Sequence, residues 1–138
     1  MKPLKIGITG VRGVVGEAFT PELAVGFAQA FATYIDGGRM LVSRDTRPSG
    51  PMVHAAVCSG LLAAGCEVIH LQICPTPSMQ LALSWLDADG GIAITAGHNA
   101  SKWNALKFVR AVGLYLNATQ GEELLDIYHQ GEFLKARW

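Results

Sequence analysis

The segment Gly90–Lys107, which reads GGIAITAGHNASKWNALK, begins with apolar residues and continues with mostly polar ones. Gly91–Thr95 is a short apolar run, which is typical of a strand buried on both faces of a sheet. A polar loop follows it, and Ala105–Val109 is again apolar enough to form a strand. The segment therefore predicts a buried strand, a polar loop at its carboxyl end, and a second strand beyond the loop.

Strand and helix patterns alternate outward from this segment along the whole chain. The other strand candidates are Lys5–Thr9, Arg39–Ser43 and Glu67–Ile73, and Ala105–Val109 and Leu114–Leu116 form a candidate hairpin. Helices are predicted from Thr20-Pro21 to Ile35, from Pro51 to Ala64, after Pro75-Thr76-Pro77, and after a capping box at Thr119–Glu122. Apolar strands that alternate with helices predict an α/β fold. We expect one domain over residues 1–138, a three-layer α/β/α sandwich with a mainly parallel sheet of mixed edges.

The composition excludes several classes of protein. Half of the 138 residues are apolar, which excludes a disordered chain. The 11 basic and 11 acidic side chains give a net charge of zero, and no Lys/Arg cluster predicts a nucleic-acid interface. No apolar run reaches the roughly 18 residues of a membrane span. Charged residues make up only 16% of the chain, against about 25% in a typical soluble domain. We therefore expect exposed apolar surface and self-association.

The cysteines and histidines carry no recognisable motif. Three cysteines without a CxxC pair indicate neither a disulfide framework nor a zinc site. We interpret Cys58, Cys66 and Cys74 as small buried hydrophobic residues, and His54, His70 and His129 as structural or surface residues. No signal-peptide pattern follows Met1, so the prediction is a cytoplasmic protein.

The glycine-rich segment Thr9–Gly16 matches the TGxxGxxG fingerprint of dinucleotide-binding dehydrogenases. In that fold a helix begins inside the fingerprint, and Pro21 would break it. An acidic residue is also expected about 20 residues further on, at the end of the second strand. Asp45 lies 35 residues after Gly10, so a dinucleotide site is not the preferred interpretation.

Gly90–Lys107 strongly resembles the phosphoserine loop of the α-D-phosphohexomutases, the phosphoglucomutase/phosphomannomutase family. In that family a strand ends in Thr-Ala-Ser-His-Asn-Pro, and Tyr-Asn-Gly-x-Lys follows. Three further motifs appear in the family's order, at Gly7–Gly13, Ser43–Ser49 and Pro75–Pro77. Together they cover nearly the whole chain, which resembles the first domain of an enzyme with four domains.

The resemblance implies a chemistry. These enzymes move a phosphoryl group between the C1 and C6 hydroxyls of a hexose phosphate, through a hexose bisphosphate, a phosphoserine and Mg²⁺. Carried over by position, His98 and Lys107 would flank the phosphoryl group, with Lys107 suited to general acid–base work. Arg12 would hold the phosphate as a forked donor. The remaining phosphate-binding positions would be Thr9, Gly10, Thr95 and Asn99.

Two departures from the family pattern bear on activity. Gly97 occupies the phosphoserine position, and it has no side-chain oxygen; Ser101, Thr95 and His98 are the nearest other nucleophiles. Ala100 and Ala105 also replace the motif's Pro and Gly. The family's Asp-Gly-Asp metal loop has no counterpart in this chain, and the nearest sequence, at 87–90, precedes a strand instead of following one.

These observations predict the N-terminal domain of a phosphohexomutase, inactive on its own and without tightly bound Mg²⁺. It would dock against further domains. The alternative is a non-catalytic phosphate- or sugar-phosphate-binding or assembly module from a silenced paralogue. Asp45 and Arg47 are predicted to form an ion pair that stabilises their turn, with hydrogen bonds to the Gly10–Gly13 loop; Arg12 pairing with Asp45 is the alternative to a phosphate contact.

Overall fold

The structure is a computed structural model that describes residues 4–7 and 10–138. Over these residues it contains one six-stranded sheet and four α-helices. The strands are β1 (Lys5–Gly7), β2 (Gly10–Val14), β3 (Arg39–Arg44), β4 (Glu67–Ile73), β5 (Gly90–Ile94) and β6 (Trp103–Arg110). The helices are α1 (Pro21–Ile35), α2 (Gly50–Ala63), α3 (Thr76–Trp85) and α4 (Ala118–Gln130).

The sheet has the strand order β1-β2-β6-β5-β3-β4. β3 pairs in parallel with β4 and β5, whereas β6 is antiparallel to β5 and β2, and β1 is antiparallel to β2. Four strands therefore point one way, and β1 and β6 point the other way. The α/β prediction is confirmed, but the sheet is mixed through its interior because the reversed strand β6 lies between β2 and β5.

The helices cover the two faces of the sheet unequally. α1 packs on α2 and α4, and these helices bury one face in a large core that includes Phe31, Ile92 and Phe108. α3 packs on β5 and β3 over the opposite face, around Met79 and Ala93. Within the described residues no helix packs extensively on β2 or β6 on the α3 side. That part of the sheet is left open for a site.

Two predictions of local structure near the sheet edges are wrong. The segment predicted as a loop after Thr9 forms strand β2, so the chain makes a β1–β2 hairpin; Ile8 and Thr9 themselves lie outside the described residues. Leu114–Leu116 forms no strand, and only a single bridge joins Val109 to Tyr115. β2 occupies this side of β6 up to Lys107, so a hairpin could pair only with the last residues of β6, and it extends no further than this bridge.

Helix starts follow the sequence signals closely. The Thr20 hydroxyl accepts a hydrogen bond from the Leu23 amide at 3.2 Å, so α1 begins at its predicted cap. The capping box of α4 lies two residues earlier than predicted, because Asn117 and Gln120 exchange the two hydrogen bonds. Asn is at least as good an N-cap as Thr, and the Asn-x-x-Gln spacing is equally suitable.

Some large apolar side chains are exposed, as the low charge content predicts. Leu81 and Trp85 lie one turn apart on α3 and are 61% and 81% exposed. Self-association through such surface stays a prediction. Among the described residues, no helix has the length and hydropathy that crossing a bilayer requires.

Candidate functional site

A cleft of about 270 Å³ lies where the loop after β5 meets β1, β2 and β6. It contains seven of the eight predicted site residues, and Thr9 lies outside the described residues. The lining residues are Lys5, Ile6, Gly7, Gly10, Val11, Arg12, Thr95, Ala96, Gly97, His98, Asn99, Ala105, Leu106 and Lys107. The structure thus gathers residues from three separate sequence segments at the carboxyl end of β5.

The strand register explains why the cationic side chains meet here. Lys107 lies opposite Gly10 on β2 and opposite Ala93 on β5, and Arg12 lies opposite Ala105 on the same pair of strands. Residues that face each other across a ladder project from the same face of the sheet. Ala93 belongs to the cluster under α3, so Arg12 and Lys107 project from the α3 face, beyond the end of the helix layer.

Lys5 is a cleft residue that the sequence analysis did not identify. It lies directly opposite Arg12 in the β1–β2 hairpin, and its ammonium nitrogen is 5.3 Å from the centre of the Trp103 ring. That distance is within the range of a cation–π interaction. Lys5 and Gly7, like Gly10 and Arg12, are two residues apart and so lie on one face of their strand. This spacing would have placed Lys5 beside Arg12 if the glycine-rich segment had been interpreted as a hairpin.

The charge of the cleft is positive. Lys5, Arg12 and Lys107 contribute three cations, and the lining residues include no Asp or Glu. Mg²⁺ requires oxygen ligands and is generally held by carboxylates. The residues that line this cleft therefore suit an anion and do not by themselves form a Mg²⁺ site.

The loop after β5 is held by its own polar groups. The Gly97 amide donates a hydrogen bond to the Thr95 hydroxyl at 3.2 Å, and the Asn99 side-chain amide donates to the Ala96 carbonyl at 2.6 Å. Gly97 has φ +57°, in the left-handed region, and a Cβ built there would meet no atom within 4 Å. Thr95 and Asn99 therefore shape the turn, and Gly97 and His98 are exposed at its tip.

Arg47 fixes this loop from outside the cleft. Its Nε donates to the Asp45 carboxylate at 3.0 Å. Its two terminal nitrogens donate to four backbone carbonyls at 2.7–3.2 Å, those of Gly97, Asn99, Ala100 and Trp103. All five guanidinium N–H groups are thus used.

The turn that contains Arg47 was predicted only in part. The ion pair between Asp45 and Arg47 is present at 3.0 Å. The expected hydrogen bonds to the Gly10–Gly13 loop are wrong, because Arg47 reaches the 97–103 loop and Gly10–Gly13 belongs to a strand. Arg12 forms no ion pair with Asp45 among the residues that the structure describes.

The comparison with known families agrees with this geometry. Residues 3–135 match the family described as phosphoglucomutase/phosphomannomutase, alpha/beta/alpha domain I. The chain belongs to this family and represents its first domain.

Individual relatives give the same assignment. A "Probable phosphoglucosamine mutase" of Thermococcus kodakarensis is 40% identical over 132 residues, which are 96% of this chain and 29% of the relative. A "Phosphoglucomutase/phosphomannomutase" of the same organism is 39% identical over 137 residues, 96% of this chain and 30% of the relative. The crystal structure of a putative phosphomannomutase from Thermus thermophilus aligns with a TM-score of 0.86 at 26% identity, covering 99% of this chain and 32% of that one. The chain thus spans less than a third of the length of these relatives.

Proposed function

We propose that the cleft binds the phosphate group of a hexose phosphate, and that the chain serves as the phosphate-loop domain of a phosphohexomutase. The observation that carries this proposal is the convergence of Lys5, Arg12 and Lys107 on the β5 loop with no carboxylate in the lining. The names of the relatives, all sugar-phosphate mutases, support the class of substrate.

The roles of the residues follow from their chemistry. Arg12 provides a planar fork of N–H donors, which suits two phosphate oxygens at once. Lys107, half-buried next to the β5 strand, provides a mobile ammonium that can give a proton to a sugar oxygen and take one back. His98 adds a ring N–H at the exposed tip of the loop. Such positively charged donors stabilise the charge that develops during phosphoryl transfer.

We further propose that the isolated chain is catalytically inactive. Gly97 offers no oxygen to carry a phosphoryl group at the family's phosphoserine position. The cleft also supplies no carboxylate for the Mg²⁺ that the family uses.

Gly97 equally favours a second candidate function, a module that binds sugar phosphates reversibly without turnover. The two candidates share the binding step and differ in what happens at position 97.

The binding step is tested by titrating the chain with glucose 6-phosphate and following amide NMR shifts. We expect shifts confined to the segments that form the cleft, residues 5–7, 10–13 and 95–107. Arg12→Ala and Lys107→Ala should each weaken binding about 10- to 100-fold, since a charged hydrogen bond contributes about 1.5–3 kcal/mol. The matched control is Lys102→Ala, which removes an exposed lysine of the same loop that does not line the cleft. Absence of shifts at millimolar ligand, or equal weakening by the Lys102 variant, would contradict the proposal.

The role of position 97 is tested in a chimera, in which residues 3–135 replace the matching domain of the Thermococcus phosphoglucosamine mutase relative. After incubation with glucose 1,6-bisphosphate and Mg²⁺, the Gly97 chimera should remain unlabelled. Its Gly97→Ser variant should gain about 80 Da by intact mass, because serine restores the oxygen nucleophile. The left-handed backbone at this position should destabilise the serine variant by about 1–2 kcal/mol.

Gly97→Ala is the matched control, since it adds the same backbone strain without a hydroxyl. The intact relative, treated identically, is the positive control. Labelling of the Gly97 chimera at any residue would contradict the loss of the nucleophile. A folded serine chimera that takes up no label would contradict the assignment of this loop as the phosphoryl-carrying loop.

A further inference from the structure

Three side chains that the sequence analysis treated as unrelated lie together between α2 and β4. His54 and Cys58 are one turn apart on α2, and His70 lies on the edge strand next to the helix. The Cys58 sulfur is 3.8 Å from His54 Nε2 and 3.8 Å from His70 Nδ1, and these two nitrogens are 3.3 Å apart. None of the three residues lines the phosphate cleft.

We propose that His54, Cys58 and His70 form a binding site for a divalent transition-metal ion, with Zn²⁺ as the natural occupant. Zn²⁺ is bound by nitrogen at about 2.0–2.1 Å and by sulfur at about 2.3 Å in tetrahedral geometry. Those bond lengths require ligand separations of roughly 3.4 Å between two nitrogens and roughly 3.6 Å between nitrogen and sulfur. The observed separations of 3.3, 3.8 and 3.8 Å are close to these values, but the sulfur lies 3.8 Å from both ring nitrogens of His54, so the His54 ring must turn to aim one nitrogen at the ion.

The contacts do not by themselves require an ion, since one ring N–H can join the two imidazoles at 3.3 Å and the sulfur–nitrogen separations of 3.8 Å are van der Waals contacts. What points to an ion is the convergence of two imidazoles and one thiol, whose three ligand atoms lie within 4.8 Å of one another. Imidazole nitrogen and cysteine sulfur are ligand types that bind Zn²⁺.

The backbone aims His70 at the helix. The β3–β4 register shifts immediately after the pairing of Val42 with His70, so that Ser43 pairs with Gln72. Gln72 has φ +61°, in the left-handed region. The shift follows His70, so His70 keeps the regular alternation of the strand and shares the α2 face of β4 with Val68, whereas Ile69 and Leu71 pack under α3.

The environment leaves one coordination position open. Cys58 is buried, His54 is half-buried and His70 is exposed, so the triangle opens to solvent on the His70 side. Three protein ligands plus a water is an established arrangement for Zn²⁺. Bound at this position, the ion would tie the edge strand to α2.

The protonation states are compatible with binding. Burial, followed by the charges of His70 and Arg44, lowers the pKa of His54, so its ring is neutral and can act as a ligand. Burial raises the pKa of the Cys58 thiol, so that group must release a proton when the metal binds. Arg44 carries a positive charge near the site, and this charge disfavours protonation of His54. The Arg44 guanidinium also donates a hydrogen bond to the Asp45 carbonyl at 3.1 Å.

Cobalt titration of the 138-residue chain tests the site, because Co²⁺ replaces Zn²⁺ and reports its ligands by absorption. We expect one equivalent to produce the visible bands of tetrahedral cobalt together with a thiolate-to-cobalt charge-transfer band in the near ultraviolet. One equivalent of Zn²⁺ should abolish both. Cys58→Ala should remove the charge-transfer band, and His70→Ala should weaken binding at least 100-fold.

The controls separate a metal site from a structural role. Cys74→Ala and His129→Ala remove a cysteine and a histidine elsewhere and should bind cobalt like the wild type. His70→Ala changes an exposed side chain, so the metal-free variant should keep the wild-type melting temperature, while added Zn²⁺ should raise the melting temperature of the wild type and of the two control variants but not that of His70→Ala. A spectrum without the charge-transfer band, its persistence in Cys58→Ala, or wild-type cobalt affinity in His70→Ala would overturn the proposal.

Discussion

Replacing Arg47 with alanine is expected to lower the free energy of unfolding by about 3–5 kcal/mol, as measured by urea denaturation. The side chain is only 9% exposed and uses all five of its N–H groups. Alanine would remove the guanidinium from the Asp45 carboxylate, which keeps the backbone amide of residue 47, and from four loop carbonyls, of which that of Ala100 still accepts from the Trp103 amide. Because no other side chain replaces these bonds, the 97–103 loop should also lose order. Hydrogen exchange at the Asn99 and Trp103 amides, which donate within this loop, should accelerate.

Two further substitutions make this prediction specific. Arg47→Lys keeps the charge but offers at most three donors without a planar fork, so it should recover only part of the stability. Arg39→Ala is the matched control, because its 2.9 Å ion pair with Glu67 joins side chains that are 38% and 61% exposed. Its guanidinium donates to one backbone carbonyl, that of Leu86, where Arg47 donates to four. An exposed pair contributes about 0–1 kcal/mol. Equal destabilisation by the Arg39 and Arg47 variants would refute the role given to Arg47.

The helices and the apolar strands could be predicted because their signals are local. A cap residue followed by proline at Thr20-Pro21 starts α1, and Glu67–Ile73 forms β4 with the predicted bounds. The helix cap acts between residues three positions apart, and the apolar run of β4 lies within seven consecutive residues. The fold class follows from the order in which they occur.

Strand β2 could not be predicted in the same way. Gly10 and Gly13 make the segment look like a loop, since glycine is uncommon within strands. Its strand geometry comes from pairing with Lys5–Gly7 on one side and with residues of β6, 89 to 97 positions away, on the other. The sequence contains no local signal for that long-range register.

Part of the candidate site could be predicted from a local sequence motif, and the rest depends on contacts between distant segments. The resemblance of Gly90–Lys107 to a phosphoserine loop was sufficient to place His98 and Lys107 in one cleft. Lys5 entered the cleft only through the hairpin register. Cys58 and His70 are 12 residues apart on a helix and a strand, a spacing that matches no metal-binding motif. Only packing of α2 against β4 brings them together.

Gly10→Ala is expected to destabilise the domain by at least about 3 kcal/mol and to abolish sugar-phosphate binding. A Cβ at this position would overlap the backbone carbonyl oxygen of Leu106 and lie 3.0 Å from the Cα of Lys107. Both atoms belong to the backbone of β6, so no rotamer change relieves the overlap. Relief requires β2 to move away from β6, which breaks their ladder and separates Arg12 from Lys107.

Urea denaturation and the glucose 6-phosphate titration measure the two effects in the same samples. Gly121→Ala is the matched control, because a Cβ there meets no atom within 4 Å and the residue lies in the first turns of α4. Alanine in a helix is favoured over glycine by about 0.5–1 kcal/mol, so this variant should be slightly more stable and bind normally. A Gly10→Ala protein with wild-type stability would show that β2 and β6 are not in close contact at this point. One that is destabilised but binds normally would show that the cleft does not depend on their register.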